Sequence, residues 1–137
     1  MAKLSYFEIA GKNYPLSFSL MAEKTLAGRY GSLTKMSEFI KGDDEKSLGE
    51  IAYILELLIC QGCAYKNMFE QDVPIEENSP VKDGKWIPLT EEQILVGVDV
   101  TMQNDMIRAI KEAMGRGQEK DIETIEKNLE AQGEVEA

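Results

Sequence analysis

The chain has 137 residues, 43% of them hydrophobic and 29% charged, which suits one domain with a modest core and a well-solvated surface. Its formal net charge of −10 argues against a nucleic-acid partner, because duplex binding depends on Lys and Arg neutralising phosphates, and favours partners with basic patches. The absence of histidine excludes His-dependent triads and His-containing zinc sites, leaving carboxylate, Lys, Tyr or Cys chemistry.

The first segment, Tyr6 to Leu20, contains two short alternating runs around a Gly-Lys-Asn turn at Gly11. Phe7 and Ile9 share one face of the first run, and Tyr14, Leu16, Phe18 and Leu20 share one face of the second. Period-2 alternation across a glycine turn predicts a β-hairpin with one apolar side. A lone hairpin is marginal in water, so that side must rest on the helices that follow.

Two short helices are expected next, Met21 to Tyr30 and Leu33 to Ile40, separated by Gly31-Ser32. Gly42 with Asp43-Asp44 makes a break. Ser47 and Glu50 then have capping-box spacing. From there Leu48, Ile51, Leu55, Leu58, Gly62, Tyr65 and Phe69 form one helical stripe, widened by Ala52, Ile54 and Ile59, with Leu57 and Met68 on a flank. So broad an apolar face predicts the central core helix.

From Gln71 to Leu89 the chain carries Pro74, Pro80 and Pro88 and reads as the main irregular connection, with Asp83-Gly84 able to close a small hairpin between Val81 and Trp86. Thr90 and Gln93 form a further capping box, with Leu89 and Ile94 placed as a hydrophobic staple, so a short helix is expected near Glu91 and should falter at Gly97-Val98-Asp99. Met102, Met106, Ile110 and Met114 recur every fourth residue, joined by Ile107, Ala109 and Ala113, and Gly115-Arg116-Gly117 is expected to end that helix. The remaining stretch, Gln118 to Ala137, is strongly acidic, and its Ile122, Ile125 and Leu129 share a thin helical face.

The fold class expected is α+β, an N-terminal β-hairpin packed on a predominantly helical body. Residues 1–117 form one domain (hairpin 4–20, helical body 21–117), and 118–137 an acidic C-terminal segment that is flexible or folds on binding. No apolar run in the sequence approaches the ~20 residues of a membrane span. The first residues show no signal-peptide pattern, so a cytoplasmic protein without a membrane partner is expected.

Four segments in order, G-K-N-Y-P-L-S-F-S-L (11–20), R-Y-G-S-L (29–33), L-L-I-C-Q-G-C-A-Y (57–65) and P-L-T-E-E-Q-I (88–94), resemble tail assembly chaperones of long-tailed bacteriophages and prophages of Gram-positive bacteria. The resemblance covers about Tyr6 to Met114 and leaves out the acidic extension. It implies a non-enzymatic role in virion assembly, in the host bacterial cytoplasm. Such chaperones keep the tape-measure protein soluble and help recruit subunits of the major tail protein around it. Many are made in a short and a frameshifted long form. No catalytic residues, cofactor or metal come with the resemblance.

Several residues invite sharper readings. Cys60 and Cys63 have C-x-x-C spacing. Redox pairs gain low thiol pKa values from a helix N-terminus, whereas this pair falls toward a helix end, and two more ligands for a zinc site are missing. Packing is the simpler reading. The carboxylates Asp43-Asp44-Glu45 and Glu91-Glu92 fall at helix starts, where acids are favoured without catalysis. A flexible methionine stripe adapts to irregular apolar partners but equally fills a core. Met102, Met106 and Met114, with Ile122, Ile125 and Leu129, are therefore candidate partner-binding residues, for a client or for a second copy in a homo-oligomer. The alternative from another class is an acidic inhibitor or DNA mimic that binds a basic nucleic-acid-binding surface; a CxxC redox or metal protein is a third reading.

Overall fold

The computed structural model describes residues 4–41 and 44–116. Strands β1 (Ser5–Ile9) and β2 (Lys12–Leu16) form an antiparallel hairpin in which Phe7 faces Tyr14 and Ile9 faces Lys12. The turn is Ala10-Gly11, not Gly-Lys-Asn, with φ of 52° and 82°. A two-residue hairpin turn whose twist matches the strands needs positive φ at both central residues, which places Lys12 and Asn13 in β2. Ile9, Tyr14, Leu16 and Phe18 are buried as the alternation predicts. Leu20 departs from the pattern at 83% exposure, because Ser19 ends the extended run by capping a helix and leaves Leu20 in its first turn.

Helix α1 (Leu20–Tyr30) begins where the Ser19 hydroxyl accepts from the Ala22 amide at 3.0 Å, and stops at Gly31 with φ 89°. Ser32 caps α2 (Leu33–Phe39), as the Gly-Ser punctuation predicts. The cap of α3 (Glu45–Phe69) is Asp44, whose carboxylate accepts from the Ser47 amide at 2.8 Å. Ser47 thus lies inside the helix rather than at its start, and Glu50 turns to α1 instead of reaching back to close a box. Its carboxylate takes Arg29 at 3.2 Å and the Tyr30 hydroxyl.

Helix α3 is the axis of the molecule. Ile51, Ala52, Ile54, Leu55, Leu58, Ile59 and Cys63 are buried along it, while Leu48, Met68 and Phe69 at its ends are exposed. By length and composition this helix is apolar enough to cross a membrane, contrary to the expectation from the sequence, but half of its most apolar window is buried within the protein. Strand β2 lies directly on it at Gly62, and the Ser17 amide donates to the Leu58 carbonyl at 3.0 Å.

Past α3, the Asp83-Gly84 turn closes the short hairpin of β3 (Val81–Lys82) and β4 (Lys85–Trp86), as expected. The Asn67 side chain acts as a substitute strand for β4, accepting from the Trp86 amide at 2.9 Å and donating to its carbonyl at 3.1 Å. Helix α4 (Glu91–Gly97) is followed by a 3-10 turn (Val100–Met102) and by α5, residues 103–116. Gly115 and Arg116 are still helical, and Gly117, the last residue of the expected break, lies outside the described residues. The described body is α+β, with an N-terminal hairpin on a mainly helical frame.

Candidate docking groove

Where α3, α4, the 3-10 turn and α5 meet, the packing leaves an opening. Helix α4 is only 7 residues long, yet its start is tightly specified. The Thr90 hydroxyl accepts from the Gln93 amide at 3.1 Å, and the Gln93 side chain accepts from the Thr90 amide at 2.9 Å. The Glu91 amide also donates to the Glu56 carboxylate on α3, so α4 is anchored to the core helix by its first peptide. At its far end Gly97 comes so close to β1 that a β-carbon there would lie 2.9 Å from the Ile9 Cγ2.

A helix this short, held at both ends, buries one stripe only. Ile94 is that stripe, fully buried, which leaves its apolar neighbours Leu95 and Val96 at 50% and 82% exposure. Asp99 then caps the 3-10 turn, its carboxylate accepting from the Thr101 amide at 2.8 Å, and Val100 projects at 91% exposure. The result is a groove of about 170 Å³. Its floor is Ile51, Ile94 and Met106, and its walls include Leu48, Leu95, Val98 and Val100, with Asp99 and Gln103 at the edge. A cavity of about 150 Å³ admits a benzene-sized group, so this one fits one or two apolar side chains rather than a cofactor.

A second, more polar cavity of about 310 Å³ lies under the first hairpin, between Tyr6, Asn13, Lys66, Glu76 and Trp86. Its cation is already engaged: Lys66 Nζ pairs with Glu70 at 2.6 Å and sits 5.7 Å and 5.2 Å from the Tyr6 and Trp86 ring centres.

The candidate methionines separate. Met106 is buried and contributes to the groove floor. Met114 is half-buried against the core, and Met102 is half-buried in the 3-10 turn. Most of this stripe is therefore core filling. Ile122, Ile125 and Leu129 lie outside the described residues. The surface that sequence reasoning missed is Leu95, Val96 and Val100. Its signal was present in Ile94-Leu95-Val96, three consecutive apolar residues in a helix too short to bury them all.

Cys60 and Cys63 are free thiols inside α3, half-buried and buried respectively. Burial, reinforced by Cys60, pushes the Cys63 thiol up to about 12, and burial with the nearby Glu56 charge raises Cys60 as well. Both are held as neutral packing groups, the opposite of an activated pair. Asp44 acts as a helix cap, and Glu91 and Glu92 occupy a first turn. Among the described residues, no three His, Cys, Asp or Glu side chains cluster to hold a metal.

Comparison with known proteins finds no matching family model, no similar curated protein and no similar solved structure.

Proposed function

We propose that this chain is a non-enzymatic assembly chaperone of the phage-tail type, binding the tape-measure protein and helping to recruit tail-tube subunits through reversible contact. The observation that carries the reading is the apolar groove with Leu95 and Val100 exposed at its wall. Exposed apolar residues gathered around a cavity mark an interaction surface rather than a reaction centre. A chaperone must release its client, and a shallow groove for one or two side chains supplies weak, adaptable contact.

Co-expression with a tape-measure protein from the same genome tests the reading. The expected result is a higher soluble yield of that partner and a complex on gel filtration. Unchanged solubility with no complex removes the chaperone reading.

A further inference from the structure

The groove's charge surroundings specify its occupant more narrowly than apolarity alone. Asp99 stands at its edge. Glu91 and Glu92 lie one helical turn before the wall residue Leu95, and Asp44 and Glu45 one turn before the wall residue Leu48. Residues three and four apart share a helix face, so Glu45, Glu91 and Glu92 lie within one turn of the groove walls, with Asp44 at the α3 cap and Asp99 in the lining itself. Hydrogen bonds favour the ionised form of two of them. Hydrogen bonds from Thr101 lower the Asp99 pKa, and those from Ser47 lower that of Asp44. Among the described residues the groove lining holds no Lys or Arg, and two cations on these helices are turned to other partners: Lys46 Nζ lies 4.9 Å from the Phe39 ring centre, and Arg108 pairs with Asp105 at 3.1 Å.

Resting on the reading of this chain as a client-binding protein, we infer that the groove takes a cationic amphipathic helix. The helix places one or two apolar side chains between Leu48, Leu95 and Val100, and Lys or Arg beside them meets the surrounding carboxylates. Helix-in-groove recognition uses apolar anchors at i, i+3 or i+4 spacing, and complementary charge raises the association rate and excludes wrong partners. A second copy of this chain, at −10, is disfavoured by the same field.

The test uses the full chain and two labelled synthetic peptides that share one leucine row, one flanked by lysines and the other by glutamates, followed by fluorescence anisotropy. The lysine peptide binds at least about tenfold more tightly than the glutamate peptide at low salt, and the difference shrinks as salt screens it. Leu95→Ser with Val100→Ser weakens lysine-peptide binding about tenfold, the effect of losing buried apolar contact. Val96→Ser, exposed but outside the groove, leaves it unchanged. Asp99→Asn, which keeps the capping oxygen, combined with Glu92→Gln weakens it and reduces its salt dependence. Equal binding of the two peptides overturns the inference. So does binding that ignores Leu95→Ser and Val100→Ser, which would be diffuse attraction to an acidic protein. Failure of the chaperone reading is separately visible. Peptide binding through the groove with no effect on the tape-measure protein sinks that reading alone. Tape-measure protein solubilised equally by wild type and the Leu95→Ser/Val100→Ser variant sinks the groove assignment alone.

Discussion

Gly62 of α3 lies against the main chain of Pro15 in β2, so close that a β-carbon on residue 62 would sit 2.1 Å from the Pro15 carbonyl oxygen and 2.9 Å from the Leu16 nitrogen. Neither atom belongs to a side chain that could swing away. Gly62→Ala must therefore lift the hairpin from the core helix and disturb the Ser17–Leu58 hydrogen bond. The expected loss is about 3 kcal/mol, the upper end of overpacking penalties. Gly49, on the same helix, has nothing within 4 Å of its added β-carbon. Gly49→Ala should instead stabilise by about 0.5–1 kcal/mol through helix propensity. Urea titration of both variants checks the pair, and a neutral Gly62→Ala would refute the close contact.

The hairpin turn contains a correctable strain. Ala10 is exposed at φ 52°, a left-handed conformation that costs an L-residue with a β-carbon roughly 1–2 kcal/mol. The second hairpin meets the same requirement with Asp83-Gly84, a preferred pair. Ala10→Asn creates Asn-Gly and should raise stability by about 0.5–1 kcal/mol without altering the fold. A lower melting temperature would contradict the turn assignment.

Much of this architecture is legible in the sequence because its signals are local. Period-2 alternation, Gly31-Ser32, Asp83-Gly84 and the Thr90/Gln93 box each act within a few residues, and the elements are where those signals place them, apart from the first turn, which falls at Ala10-Gly11, and Leu20, which passes to α1. The failures arise where the decision is tertiary. Asp44 and Ser47 both offer cap chemistry, and Asp44 takes the role while Glu50 is drawn to Arg29 and Tyr30 on another helix. Gly62 fits the apolar stripe, but only the approach of β2 explains why glycine stands there. The groove was harder still. It is a gap between α3, α4 and α5, and no single segment encodes a gap.

The Glu50 cluster predicts a definite pH response. Burial pushes its carboxyl pKa up, but hydrogen bonds from Tyr30 and Arg29 and the Arg29 charge outweigh that and hold it below its ordinary value. A depressed folded-state pKa contributes stability that is fully present above the unfolded value, near ~4.3, and is lost as pH falls through the folded value. Glu50→Gln should lower stability at pH 7 and flatten the decline below about pH 4.5. Parallel acid-side slopes for wild type and variant would show that the cluster contributes no linkage.

Thiol reactivity separates packing cysteines from a redox pair. Burial pushes the Cys63 thiol up to about 12 and raises Cys60 as well, so folding disfavours the thiolate at both. Ellman's reagent should modify Cys60 slowly and Cys63 only on unfolding, and both should react at once in denaturant. Cys63→Ser is expected to cost about 1–3 kcal/mol from burying a hydroxyl. Fast native labelling of Cys63 would reverse the assignment.

The last prediction concerns residues 118–137, whose row of Ile122, Ile125 and Leu129 is a candidate partner surface outside the described residues. Among the described residues the buried core runs from Leu4 to Ala113, with Ile110 and Ala113 fully buried on α5 and Met114 packed against it. A chain ending at Gly117 should therefore melt within a few degrees of the full chain, since a shift of about 1 kcal/mol moves the midpoint of a domain this size by roughly 4 °C. Removing the segment also takes away seven acids (Glu119, Asp121, Glu123, Glu126, Glu130, Glu134, Glu136) and two lysines (Lys120, Lys127). That is half of the net charge, −5 of −10. If the tail contributes only field, lysine-peptide binding to the truncated chain weakens at low salt and matches the full chain at high salt, where screening removes long-range attraction. If Ile122, Ile125 and Leu129 contact a partner directly, the deficit persists at high salt. A fall in melting temperature beyond about 10 °C would show instead that the segment completes the core.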